Sequence, residues 1–122
     1  MSKNKKTYVF DIDNTICKTS DSKYEKSTPI QERIDVVNLL YDQGHEIIFQ
    51  TARGMGRTNN SAIRCYKYFY ELTKSQLKEW GVKHHDLFMG KVAGDIYIDD
   101  KNLGFNYNWP EQLKKKLKKM KK

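Results

Sequence analysis

Three short apolar runs, "YVF", "IIF" and "LFM", are spaced so that a helix-like stretch separates each from the next. That alternation limits the architectures open to the chain. The first run predicts a strand over Thr7–Asp11. In "STPIQERIDVVNLLYDQG", Ser27 or Thr28 stands where a helix is capped and Pro29 suits a first turn. Ile34, Val37, Leu40 and Tyr41 recur at helical spacing, and Gly44 follows the end. "HEIIFQT" predicts a second strand ending at Thr51, and the pattern from Asn60 to Trp80 is helical again, with Gly81 after it. "DLFMG" and "DIYIDD" read as short third and fourth strands, and a last helix begins at Trp109. Strands separated by helices predict an α/β fold, a mostly parallel sheet with helices on both faces. The sequence has no internal repeat and no linker long enough to divide it, so residues 1–122 read as one domain.

In such a sheet, ligands collect beyond the carboxyl ends of the strands. The predicted ends carry Asp11, with Asp13 and Thr15 just after it, then Thr51, then Lys91 after the third strand, and Asp99 and Asp100 after the fourth. Acids, a hydroxyl and a lysine in one crevice suit phosphoryl transfer through a carboxylate nucleophile. A carboxylate approaches an anionic phosphate only where cations neutralise both. Mg²⁺ and a lysine meet that need, while a hydroxyl donor holds the phosphoryl oxygens.

These stretches resemble a known set of motifs. "DIDNT" is similar to the first motif of the haloacid-dehalogenase superfamily, DxDx[TV], and "FQTARG" to the second, a hydrophobic strand ending in Thr or Ser. Lys91 in "MGK" matches the third and "DIYIDD" the acidic fourth, in the same order, over residues 7–108. The resemblance implies a Rossmann-like core and an aspartyl-phosphate mechanism. Asp11 would be the nucleophile and Asp13 the acid and base, its backbone carbonyl also facing the metal. Thr51 and Lys91 would hold the phosphoryl group. Asp100, with Asp99 beside it, would complete a Mg²⁺ site with Asp11 and Asp13.

Within the superfamily, "TARG" and "GK…D.YIDDK" look most like the small phosphatases encoded with bacterial capsule and surface-polysaccharide pathways. The substrate implied is a small phosphorylated sugar or polyol. Two positions depart from that group: Val92 where its third motif has Pro, and Asn14 where its first has Gly. Too little chain separates the motifs for a substantial cap domain. The cleft is expected to be open unless a second subunit or the Gly54–Asn60 loop covers it.

Other residues carry competing readings. Arg53, just after Thr51, reads as a substrate or phosphate contact, with a surface salt bridge as the alternative. Asp95 divides between a site residue and a turn or cap, and Thr15 between a site hydroxyl and a turn. Arg57 and Arg64 read as solvated helix charges, with a substrate contact as the alternative, and His84, His85 and Asp86 as polar loop residues rather than a metal cluster. Tyr66, Tyr68, Phe69 and Tyr70 read as helix packing rather than base stacking. "RGMGRTNN" lacks the strand–GxxxxGK[ST]–helix pattern of a nucleotide loop.

Charge bears on the rival functions. The net charge of +8 belongs to the ends: residues 113–122 hold seven lysines and residues 1–6 three, with no acid in either. Thirteen basic residues then face fifteen acids between Thr7 and Gln112. A nucleic-acid 3′-end phosphatase would find phosphate contacts only on that basic tail, so the charge argues against nucleic acid as a partner. A non-catalytic binding module on the same fold would have no need of the full acid–Thr–Lys–acid set. No stretch reads as a membrane span or a leader. Cys17 and Cys65 read as small buried hydrophobes, which suits a reducing cytoplasm.

Overall fold

The structure, a computed structural model, describes residues 5–103 and 109–120, the last three in backbone only. The strand β1 (Thr7–Phe10) comes first. A two-residue strand, β2 (Cys17–Lys18), then pairs antiparallel with β3 (Thr28–Pro29). Helix α1 (Gln31–Asp42) leads into β4 (Glu46–Thr51), α2 (Ala62–Glu79) into β5 (Asp86–Met89), and α3 (Trp109–Met120) follows. β4 is the central strand, parallel to β1 on one side and β5 on the other. This is a small α/β fold with a parallel three-stranded sheet, compatible with a Rossmann-like fold.

Register decides where the core lies. Tyr8 pairs with Ile47, Phe10 with Phe49, and Phe49 with Leu87, so these side chains share one face. Onto it α1 brings Ile34, Val37 and Leu40, α2 brings Leu77, and α3 brings Trp109, Leu113 and Leu117. Leu40 and Phe49 are fully buried, and each such side chain contributes about 1.5–3 kcal/mol. Among the described residues the opposite face is open: Val9 is 56% exposed and Phe88 50%. The expectation of helices on both faces is therefore corrected. The order β1-β4-β5 advances in one direction, and right-handed crossovers advancing one way put their helices on one side.

Two local readings also change. Neither Ser27 nor Thr28 caps α1, because Thr28 and Pro29 pair with β2 and the helix starts only at Gln31, with no side-chain cap. The stop is as expected, with Gly44 at φ +93° turning the chain into β4. The second change is larger, since "DIYIDD" forms no strand. Tyr97 donates its hydroxyl to the Val92 carbonyl (2.6 Å) and accepts from the Gly94 amide (2.9 Å). These bonds close the segment on itself, leaving Ile96 81% and Ile98 95% exposed. Its alternation would suit a sheet, but the Tyr97 hydroxyl ties the segment back to Val92 and Gly94 instead.

The C-terminal segment is more than a basic tail. Leu113 and Leu117 are buried, while Lys114, Lys115 and Lys116 are exposed on the other side of α3. Lys3, Lys121 and Lys122 lie outside the described residues. Among the described residues no helix is long and apolar enough to cross a membrane.

Candidate active site

The carboxyl ends of the three parallel strands lie side by side. Asp11 follows β1, Thr51 ends β4, and the Lys91 amide donates to the Thr51 carbonyl at 3.1 Å just past β5. Thr51 is fully buried, and its Oγ1 accepts from the Arg53 amide at 3.1 Å. Burial pushes the Asp11 carboxyl above its ordinary value, and the nearby charge of Asp13 adds to this. The Lys91 ammonium, the Ile12 amide and the Arg53 guanidinium act in the opposite sense. Asp11, Asp13, Thr51, Arg53 and Lys91 thus sit in one neighbourhood.

After β1 the chain turns tightly: the amides of Thr15 and Ile16 donate to the Ile12 carbonyl at 3.1 and 3.0 Å. Asn14 takes a left-handed conformation, φ 62°, which Asn tolerates better than most residues. Thr15 serves this turn through its backbone, its carbonyl accepting from Arg33 at 3.2 Å. The turn aims Asp13 at a cluster of donors. Thr19 Oγ1 donates to Asp13 Oδ1 at 2.6 Å, and Arg53 Nη2 donates to the same oxygen at 2.9 Å. Arg53 Nε reaches both carboxylate oxygens, at 3.2 and 3.0 Å.

Arg53 is enclosed, so its ion pair with Asp13 is not the surface salt bridge that was the alternative reading. Its side chain is fully buried. Nη1 donates to Thr73 Oγ1 (3.2 Å) and Gln76 Oε1 (2.5 Å), and Nη2 also donates to Ser27 Oγ (3.4 Å). With Asp13, these acceptors account for all five of its N–H groups. Tyr24 packs against the guanidinium, its ring centre 5.1 Å away, and its hydroxyl accepts from the Gly54 amide at 3.0 Å. Gly54, at φ +79°, fits there because a Cβ would come within 2.4 Å of the Phe69 ring.

The resemblance also implied a metal, whose donors would be carboxylate and carbonyl oxygens, the kind Mg²⁺ takes. Of the four residues that the resemblance assigns to it, Asp11 and Asp13 lie near each other. Among the described residues no three acidic, histidine or cysteine side chains converge. Asp13 is engaged by Arg53 and Thr19. Asp95, Asp99 and Asp100 are all exposed on the loop that was expected to be the fourth strand. The Lys101 amide donates to Asp99 Oδ1 at 2.9 Å, and that bond, with a contact from Asp100, holds the Asp99 carboxyl below its ordinary value.

The remaining candidates lie elsewhere. Arg57 donates to the Ser22 carbonyl and lies over the Tyr24 and Phe69 rings, so it packs rather than standing free. His85 Nδ1 accepts from the Ile47 amide at 3.0 Å, and the ring stacks on Tyr41, which is a structural role. Phe69 and Tyr70 pack on Met55, Cys65 and Met89, but Tyr68 is 60% exposed. Burial raises the Cys17 thiol, which donates weakly to the Ile12 carbonyl. The sequence reading missed Thr19, Tyr24, Ser27, Thr73 and Gln76. Only Tyr24 left a signal, as the lone aromatic residue in the polar run "TSDSKYEKS".

No protein-family model and no curated protein matches the chain. Among solved structures, the crystal structure of a structural-genomics target from Vibrio cholerae is similar, with a TM-score of 0.76 and 22% identity. The match covers 92% of this chain and 98% of that one. At that identity the likeness is one of fold, and it defines the class: a small α/β protein compatible with a Rossmann-like fold.

Proposed function

We propose that the chain is a haloacid-dehalogenase-type phosphatase of the capless kind, hydrolysing a small phosphorylated sugar or polyol through an aspartyl phosphate. One observation carries this reading. Asp11, Thr51 and Lys91 sit at the ends of adjacent parallel strands, with Asp13 held beside Asp11.

In the first step an Asp11 carboxylate oxygen forms a bond to phosphorus as the bond to the substrate oxygen breaks. That oxygen takes a proton from Asp13 and leaves as an alcohol. In the second, water attacks phosphorus and gives its proton to Asp13. The bond to Asp11 breaks, releasing phosphate and restoring both carboxyl groups. Four donor contacts load Asp13 Oδ1, the Cys17 thiol at 3.8 Å being the weakest, whereas Oδ2 has one and is the freer oxygen to face the leaving group. Thr51 and Lys91 donate to the phosphoryl oxygens, where charge shifts during transfer.

The test is phosphate release from p-nitrophenyl phosphate and from a panel of sugar and polyol phosphates, with Mg²⁺ and with chelator. Turnover that needs Mg²⁺ is expected. An inactive protein on every substrate removes the reading, and full activity in metal-stripped protein removes the Mg²⁺ requirement.

A further inference from the structure

Through Arg53, the position of Asp13 depends on a helix that does not touch the proposed chemistry. Nε and Nη2 grip the Asp13 carboxylate from one side, and Nη1 is anchored by Thr73 and Gln76 of α2. Gln76 Nε2 also donates to the Tyr24 carbonyl at 2.6 Å, and the Tyr24 ring packs against the guanidinium. Asp13 is itself 20% exposed while Arg53 is fully enclosed. The carboxylate can therefore meet a substrate, and the group that holds it cannot.

We propose that Arg53 is a positioning residue. It fixes the plane of the Asp13 carboxylate so that Oδ2 faces the leaving oxygen, and Thr73 and Gln76 in turn fix Arg53. This role rests on the phosphatase reading. It follows from the shape of the guanidinium: two N–H groups in a rigid fork set both the place and the tilt of a carboxylate, which a single ammonium does not. Thr19 fixes Oδ1 from another direction, so the fork and the hydroxyl together leave the carboxylate one orientation.

Such a role has a kinetic signature. A sugar alkoxide needs the proton of Asp13 to leave, whereas p-nitrophenolate barely does. Misplacing Asp13 should slow the first kind of substrate far more than the second. A residue that bound substrate directly would raise KM, and one that only supported the fold would reduce the active fraction for both alike.

The experiment compares wild type, Arg53→Lys and Gln76→Met on the best sugar or polyol phosphate and on p-nitrophenyl phosphate, with thermal unfolding of each. Arg53→Lys should lower kcat on the sugar phosphate by on the order of 10–100-fold. On p-nitrophenyl phosphate it should stay within about threefold of wild type, with KM little changed on either. Gln76→Met should show the same pattern more weakly. Equal losses on both substrates, or a raised KM with kcat intact, overturn the proposal. Should Arg53→Lys fail to fold, the Gln76→Met comparison decides by the same criterion. A wild-type protein without phosphatase activity removes the underlying reading and this role with it. An active wild type with uniform losses removes the positioning role alone.

Discussion

The Lys91 ammonium lies 4.2 Å from the centre of the Tyr97 ring, and Tyr97 is anchored by its hydroxyl to the same loop. A cation over an aromatic face at an exposed site is worth about 0.5–1 kcal/mol. The ring thus restrains the lysine placed beside Asp11 without burying its charge. Tyr97→Leu should lower kcat/KM for phosphomonoesters by about two- to fivefold, the equivalent of that contact. Lys91→Met removes the cation itself and should cost on the order of 10²–10³ in kcat. Steady-state kinetics on both variants checks this. Equal losses would mean that Tyr97 does more than restrain Lys91.

Asp11 should show function and stability moving in opposite directions. Burial raises its carboxyl above the ordinary value, so the folded protein takes up this proton more readily than the unfolded chain. Stability from that difference is present at low pH and lost as pH rises through the raised value. At neutral pH the ionised group is therefore a cost to the fold. Asp11→Asn should abolish turnover, because an amide is a poor nucleophile toward phosphorus, while leaving the melting temperature equal to or above that of wild type. A clearly lower melting temperature would give Asp11 a structural role instead.

The expectations that held rest on signals that are local in the chain. β1, β4 and β5 show as apolar runs, and α2 is bracketed by Ser61, whose Oγ accepts from the Arg64 amide, and by Gly81 at φ +72°. The expectations that failed concern choices between partners far apart in sequence. "DIYIDD" has a strand's alternation, yet Tyr97 finds its hydrogen-bond partners within five residues. Arg53 stands next to Thr51 in sequence, and nothing local says that it turns inward. Its acceptors, Ser27, Thr73 and Gln76, come from distant segments. Asp11, Thr51 and Lys91 were legible at strand ends for the same reason as the strands, whereas Asp99 and Asp100 were expected on a strand that does not form, and the cluster that holds Asp13 was not legible.

His45 gives a pH dependence with a definite sign. Its Nδ1 accepts from the Lys6 amide at 3.1 Å, so that nitrogen must be free of a proton, and the ring meets Tyr8 edge-on. Burial, helped by the charge of Lys6, holds His45 below its ordinary value of 6.5. The unfolded chain then binds this proton more readily, so the contribution is complete above that value and fades as pH falls below it. Urea unfolding at about pH 7.5 and about pH 5.5 should show wild type losing more of its midpoint than His45→Gln over that interval. Equal losses in the two proteins would assign the acid sensitivity to other groups.

The two sides of α3 should separate on mutation. Leu113 is 4% exposed and packs in the same core as Phe10 and Trp109, so Leu113→Ala should cost about 2–5 kcal/mol of stability. Among the described residues, changing Lys114, Lys115 and Lys116 together to Gln touches exposed charge and one weak contact, Lys114 to Glu111 at 4.0 Å. That triple variant should melt close to wild type and turn over sugar phosphates equally well. If it removes anything, it should be weak, salt-sensitive binding to DNA or RNA, since counterion release needs clustered cations. Kinetics on a sugar phosphate and on a 3′-phosphorylated oligonucleotide, for both proteins, compares the two possibilities. Should the oligonucleotide be much the better substrate and the lysine changes selectively abolish its turnover, the metabolite reading gives way to end processing of nucleic acid.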